Sequence, residues 1–302
     1  MRFLFVDRIL ELVPADVIRG IKHITHDDHY LCPDEQGRLC FMPSFIGETL
    51  GQLAAWNVMH NNNFTRRPVA GVVSSARLHR PAYVGETLLL ESFIDVLDDT
   101  AVQYHSVARV GDETVFSIDG ALGPLLPMQD FIHPDVVRQQ FDAINRPGDL
   151  FPAKAGTHPQ CDIDVQFGMS SRLRRKDSLT PMQFDRILAS EPGIRLSAEK
   201  RITLAAPYFP DHFPNKPVLP MTVLLECKQN LAREFIAQAP FDQHYQIQEL
   251  RKIKMNVFVH PGDVLTTYLT VKSHDSKELI LNFRSEVDGK RVCVLDVLCV
   301  VT

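Results

Sequence analysis

The chain repeats itself. Asp7-Arg8-Ile9-Leu10 returns as Asp185-Arg186-Ile187-Leu188, a spacing of 178 residues (185 − 7). The same spacing carries Lys22 to Lys200, Ile24-Thr25 to Ile202-Thr203, Tyr30 to Tyr208, Glu48 to Glu226 and Gly111 to Gly289. Val84-Gly85-Glu86 is answered by Pro261-Gly262-Asp263. A repeat spread over most of each half restricts the fold to two copies of one design. With 302 residues, each copy is long enough for a core of its own.

Both copies follow one plan. A short helical or turn segment is expected at residues 3–10 and 181–188. An extended, β-branched segment follows at 17–25 and 194–205. A loop then leads into a long helix, 43–60 in one copy and 220–237 in the other. In the first helix Phe45, Ile46, Leu50, Leu53, Ala54 and Val58 recur at three-to-four spacing, which makes an apolar face. Strands are expected at 88–96, 101–109 and 114–122, with turns at Asp98-Asp99 and Gly111-Asp112. Their counterparts are 264–271, 279–287 and 291–301. One long helix followed by strands on tight turns predicts an α+β protein, with an antiparallel sheet wrapped on each helix.

The boundaries expected are 1–125 for the first copy, 126–180 for a linker and 181–302 for the second copy. The linker carries Pro127, Pro134, Pro147, Pro152 and Pro159, a short helix at 135–144 and the basic run Arg172-Leu-Arg-Arg-Lys176. So long a connection is uncommon in compact domains. It is explained if the second copy starts on the far side of the first.

The most constrained stretch lies in the second copy: Pro207-Tyr208-Phe209-Pro210-Asp211-His212-Phe213-Pro214-Asn215-Lys216-Pro217-Val218-Leu219-Pro220. Its prolines exclude both helix and central strand. Pro220 suits the start of the helix behind it. One imidazole, His212, sits in this rigid loop, and one carboxylate, Glu226, two turns into the helix. Singly, each has a plain explanation, a loop histidine and an acid favoured by the helix dipole. Together, His-Phe-Pro, two spaced prolines and a glutamate make a long pattern. It resembles the 3-hydroxyacyl-ACP dehydratases of bacterial type II fatty-acid synthesis. That family has the hotdog fold, so the resemblance implies a double hotdog here. Met221 stands where the family has glycine.

The resemblance implies a reaction with three requirements. A base removes a proton from C2, an acid protonates the departing 3-hydroxyl, and donors hold charge on the thioester oxygen. Histidine suits the first and a buried carboxyl the second. The free N–H groups of a helix start suit the third. In the family, histidine and carboxylate come from different subunits, which in a fused pair sets His212 against Glu48. The two copies differ accordingly. At the position of His212 the first copy has Asp34, and at the position of Met221 it has Pro43, which has no N–H. Glu48 is followed at helical spacing by Gln52, as in the family, and Glu226 by Asn230. The expected site is therefore His212 and Glu48 as catalytic pair, with the Met221 N–H and Gln52 in support. Asp34, Pro43 and Glu226 form a degenerate second site.

Composition narrows the partners. A net charge of −5, with 45% hydrophobic and 23% charged residues, is that of a globular protein without the basic face of a nucleic-acid binder. No apolar run reaches a membrane span, and the residues up to Asp7 are too few for a signal-peptide core. The six cysteines form no CxxC pair, as in a reducing cytosol, so a cytoplasmic location is expected. His23, His26 and His29 with Asp27 and Asp28 lack zinc spacing, so no metal is expected. The resemblance implies no cofactor. It implies acyl carrier protein bearing a phosphopantetheine-linked 3-hydroxyacyl chain as partner, met by Arg66, Arg67, Arg77, His79 and Arg80 or by Arg251, Lys252 and Lys254. Scattered solvated charge explains these basic residues equally well. Two other readings stay open, a hotdog acyl thioesterase and a non-catalytic acyl-binding subunit of another dehydratase. Further pairing of chains is also open.

Overall fold

The computed structural model describes residues 3–148 and 182–301. The first half contains β1 (Arg8–Val13), β2 (Val17–His23), β3 (Leu31–Pro33), β4 (Leu39–Phe41), α1 (Pro43–Asn61), β5 (Arg66–Pro68), β6 (Val72–Leu78), β7 (Thr87–Leu97), β8 (Ala101–Val110) and β9 (Glu113–Pro127). A single 3-10 turn, Met128–Asp130, and α2 (Pro134–Ile144) come next. The second half contains β10 (Arg186–Glu191), β11 (Arg195–Arg201), α3 (Met221–Gln238), β12 (Tyr245–Met255), β13 (Val264–His274), β14 (Glu278–Val287) and β15 (Lys290–Val301). The expected long helices, the three closing strands of each half and the short connector helix are all present. The basic run 172–176 lies outside the described residues.

The first segment of each half is a strand, not the helix or turn expected. β1 pairs antiparallel with β2 and β10 with β11, each across a tight hairpin. The hairpins themselves repeat. Ala15 and Gly193 (15 + 178) both have positive φ, 57° and 75°, and both pairs slip register at the same place, Ile9/Glu11 and Ile187/Ala189. A four-residue match is too short to show a period, and the partner strand decides its conformation.

The two expected sheets are one. Thirteen strands form a continuous antiparallel sheet ordered β1-β2-β7-β8-β9-β6-β12-β15-β14-β13-β11-β10, with β5 added on β9. The halves join where β6 pairs β12, from Arg77 opposite Glu249 to Val72 opposite Lys254. Neither strand was expected from the sequence, because the seam is held by charge. Glu249 is buried, and its carboxylate accepts from Arg77 at 2.6 Å, Arg251 at 2.9 Å and the Ser75 hydroxyl at 2.7 Å. Burial alone would raise its pKa, but these three donors bring it down to about 2. β1 and β10 lie at opposite ends of the sheet, so the second half begins on the far side of the first.

α1 packs on β2, β7, β8 and β9 and also meets α3. It is buried nearly all round, from Ser44 and Phe45 through Ala55, Trp56 and Asn57 to Met59. One face meets the sheet and the others meet α3 and a cavity, so the apolar stripe read from spacing understates its burial. The α1–α3 contact puts both helix carboxylates, Glu48 and Glu226, between the halves. Among the described residues no helix is long and apolar enough to cross a membrane.

Candidate active site

The proline-rich loop before α3 is pinned from within. Tyr208, Phe209, Phe213, Val218 and Leu219 are buried. His212 cannot swing away: its ring lies 4.0 Å from that of Phe213, stacked, and 5.2 Å from Phe3, edge-on. Its Nδ1 is 3.2 Å from the carbonyl oxygen of Val218. A carbonyl only accepts, so Nδ1 carries the proton and Nε2 keeps the lone pair. The next-door carboxylate, Asp211, accepts from the Phe3 N–H at 2.8 Å. Burial lowers the His212 pKa to about 3, with the positive charge of Arg67 adding to the effect. The imidazole is therefore neutral at physiological pH, with the Nε2 lone pair free to accept a proton.

Glu48 lies in the second turn of α1. Its Oε1 accepts from Gln52 Nε2 at 2.9 Å and its Oε2 from the Thr222 hydroxyl, at the start of α3, at 2.9 Å. Gln52 is fixed in turn, accepting from the Phe5 N–H at 3.0 Å and donating to the Phe3 carbonyl at 3.2 Å. Burial raises the pKa of Glu48, outweighing the opposing pull of Gln52, Thr222 and Arg67. A carboxyl held this way is suited to giving up a proton at neutral pH.

His212, Glu48, Gln52, Met221 and Thr222 all line one cavity of about 390 Å³. Met221 is the first residue of α3, where the helix ladder leaves backbone N–H groups unclaimed. The cavity continues along α1 past Gly47, Gly51, Ala54 and Ala55 to Trp56 and Met59, and the connector adds Ile132, Val137 and Gln140. Small residues on α1 make the room. A Cβ on Gly47 would lie 3.5 Å from the Phe116 ring, and one on Gly51 would lie 3.6 Å from the Tyr104 hydroxyl.

Of the remaining expected residues, Glu226 and Asp34 do not line the cavity. Glu226, 1% exposed, is not among the residues lining the cavity. It accepts from the Ser44 N–H at 3.3 Å and Gln229 Nε2 at 3.3 Å, and it pairs with Arg233 at 3.5 Å. Asp34 sits in the β3–β4 turn and accepts from the Gln36 and Arg38 N–H groups and from the side chains of Arg38 and Tyr83. Those donors hold its pKa below the ordinary value against some desolvation. Pro43 opens α1 and lines the cavity.

Two lining residues were missed or misplaced in the sequence. Thr222 has its counterpart in Ser44 (222 − 178), a repeated hydroxyl at each helix start that pointed to it. Arg67 was grouped with basic residues that either meet the carrier and its phosphopantetheine or are solvated charge, and it lines the cavity. Most other basic residues expected to meet a carrier are held internally: Arg77 and Arg251 by Glu249, Arg80 by Glu86 and Glu113, and Arg66 by the Asp99 carbonyl. His23 binds Thr87, and Asp28 binds Lys22.

Comparisons with known proteins bear on the family. A family model described as ApeI dehydratase (ApeI-like) matches residues 189–295. The 3-hydroxyacyl-[acyl-carrier-protein] dehydratase FabZ of Shewanella woodyi is 34% identical over 121 residues, 38% of this chain and 78% of that protein. The FabZ of Nitrosospira multiformis is 30% identical over 122 residues, 39% of this chain and 84% of that protein.

The chain belongs to the 3-hydroxyacyl-ACP dehydratase family.

Among solved structures, the tesB protein of Mycobacterium avium subs paratuberculosis superposes with a TM-score of 0.53 at 13% identity, covering 97% of this chain and 96% of its own. At that identity the likeness speaks for the fold alone, and the fold is a hotdog. This dehydratase-family chain is about two and a half times as long as the segment its FabZ relatives match, in keeping with its internal repeat.

Proposed function

We propose that this protein dehydrates 3-hydroxyacyl thioesters on acyl carrier protein to trans-2-enoyl thioesters, in fatty-acid or related lipid synthesis, at one site per chain. The observation that carries the reading is that His212 and Glu48, from opposite halves, line one cavity while Glu226 does not. His212 Nε2 takes a proton from C2, and the electron pair forms the C2–C3 double bond. Glu48 gives its proton to the 3-hydroxyl, which leaves as water. The Met221 N–H and the start of α3 face the charge growing on the thioester oxygen. Gln52 and Thr222 hold the carboxyl in place. Afterwards the imidazolium proton returns to Glu48 through solvent.

On this reading the chain is two hotdogs in tandem, residues 1–125 and 181–302, joined by 126–180. Each half of the continuous sheet wraps its own helix. Asp34, Pro43 and Glu226 are the remnant of a second site. The partner is acyl carrier protein, whose phosphopantetheine arm delivers the acyl chain, and the reaction is placed in the cytoplasm. A thioesterase reading has no use for the His-Phe-Pro loop. A non-catalytic subunit has no use for a neutral histidine and a carboxyl of raised pKa in one cavity.

The test is incubation with 3-hydroxyacyl-ACPs of several chain lengths, followed as loss of water by mass spectrometry. Wild-type protein should convert at least one of them, and His212→Ala, folded by circular dichroism, should convert none detectably. Wild-type protein inert on the whole series would reject the proposal.

A further inference from the structure

Arg67 is a half-buried cation that the roles above leave unused. It lies on β5, a short strand held on β9 by the pairing of Arg67 with Leu126. Its side chain faces the same cavity as His212 and Glu48, and it is the one lysine or arginine among the lining residues. The guanidinium carbon lies 3.8 Å from the ring centre of Phe213, next to His212, and 5.6 Å from that of Phe131. Among the described residues no carboxylate lies within ion-pair distance of it, and its buried Nε has no hydrogen-bond partner. The other acids of the cavity are taken: Glu249 by Arg77 and Arg251, Asp211 by the Phe3 N–H.

Leaving a buried donor such as the Arg67 Nε without an acceptor is unfavourable. A fold keeps such a group when a ligand supplies the acceptor. Two substrate oxygens enter this cavity if it is a dehydratase site. The 3-hydroxyl is matched to Glu48 and leaves as neutral water, so a guanidinium gains little there. The thioester oxygen gains negative charge as the C2 proton departs, and one backbone N–H satisfies only one of its lone pairs.

We propose that Arg67 is a further catalytic residue, its guanidinium donating to the thioester oxygen and stabilising the charge that builds there in the transition state. The assignment rests on the dehydratase reading given above. Stacking on Phe213 keeps the planar donor fork in place beside His212, a geometry lysine cannot reproduce. The charge also reaches both reacting groups, opposing protonation of His212 and pulling against the rise at Glu48. Burial lowers the pKa of Arg67 itself to about 9, which leaves it charged at neutral pH. No bond to Arg67 is made or broken, and it carries no proton in the reaction.

The experiment compares wild type, Arg67→Met, Arg67→Lys and Arg67→Ala on the 3-hydroxyacyl-ACP that wild type converts fastest, with folding checked by thermal unfolding. Loss of an oxyanion donor lowers kcat by about 10²–10³-fold, so Arg67→Met should fall by that much with KM little changed. Arg67→Lys should fall between the two, and guanidinium ion added at millimolar level should restore part of the activity of Arg67→Ala. A role confined to packing Phe213 predicts near-normal kcat for Arg67→Met and no rescue. With wild type active, a kcat for folded Arg67→Met within about threefold of wild type, or a loss confined to KM, overturns the assignment. If Arg67→Met does not fold, Arg67→Lys at full kcat without any rescue of Arg67→Ala overturns it. Wild type inert on every 3-hydroxyacyl-ACP instead overturns the dehydratase reading, and the assignment with it.

Discussion

At the scale of single residues the site is a matter of protonation, and burial sets it in opposite senses. It keeps His212 unprotonated and favours the protonated form of Glu48, the directions that a base and an acid in elimination require. The same shifts act on stability. His212 has a pKa of about 3 in the folded chain and about 6.5 when unfolded. Between these values the unfolded chain binds the extra proton, so stability is complete above the unfolded pKa and falls as pH drops toward 3. His212→Gln removes that linkage. Its melting temperature should fall less than that of wild type between pH 7 and pH 5, as read by calorimetry. An equal fall in both would show that His212 is not buried neutral. These protonation states could not be read from the sequence. The spacing in the loop named the histidine and the repeat named Glu48, but the desolvation comes from Phe3, Phe213 and the α1–α3 contact, which are distant in the chain.

At the scale of elements, the sequence carried the two long helices and their strands because their apolar spacing is sustained. It failed on elements whose partners decide them. β1 and β10 are strands because β2 and β11 pair with them. β6 and β12 are strands because Glu249, Arg77, Arg251 and Ser75 satisfy one another across the seam. α1 has the element-scale consequence that matters most. Its run of Gly47, Gly51, Ala54 and Ala55 leaves the space that the cavity occupies. Gly51 lies one turn beyond Glu48, with the Tyr104 hydroxyl 3.6 Å from where its Cβ would be. Leucine at this position exchanges cavity volume for side chain, and it also raises helix propensity relative to glycine by somewhat under about 1 kcal/mol. Gly51→Leu should therefore keep activity on short 3-hydroxyacyl-ACPs and lose it on long ones by about tenfold or more, since each buried methylene is worth about 0.8 kcal/mol. Competition between short and long substrates in one tube measures this ratio directly. An unchanged ratio would mean that the acyl chain does not run along α1.

At the scale of the molecule, the two halves repeat each other in sequence and in local contacts but differ around their helix carboxylates. Pseudo-symmetry is visible down to single contacts. The Thr222 hydroxyl donates to Glu48 where the Ser44 backbone N–H donates to Glu226, and Gln52 and Asn230 both reach back to backbone carbonyls, of Phe3 and Met182. What differs is the surroundings. Glu48 opens on the cavity with His212, whereas Glu226 is closed in by Gln229 and Arg233, with Asp34 tied up in its own turn. The repeat and the missing histidine made this asymmetry visible in the sequence. The pairing of Arg233 with Glu226 did not show, since nothing in the repeat marks that residue. The most direct measurement is therefore a comparison of Glu48→Gln with Glu226→Gln on one 3-hydroxyacyl-ACP. Glu48→Gln should lower kcat by about 10²–10⁴-fold, the usual worth of a general acid. It should fold normally, with a melting temperature at pH 8 no lower than that of wild type, because it removes a carboxyl whose ionised form burial disfavours. Glu226→Gln should remain within about tenfold of wild-type kcat, its losses coming from the Ser44 and Arg233 contacts and not from chemistry. An inactive Glu226→Gln beside a fully active Glu48→Gln would contradict the shared site and put the acid on the same half as His212.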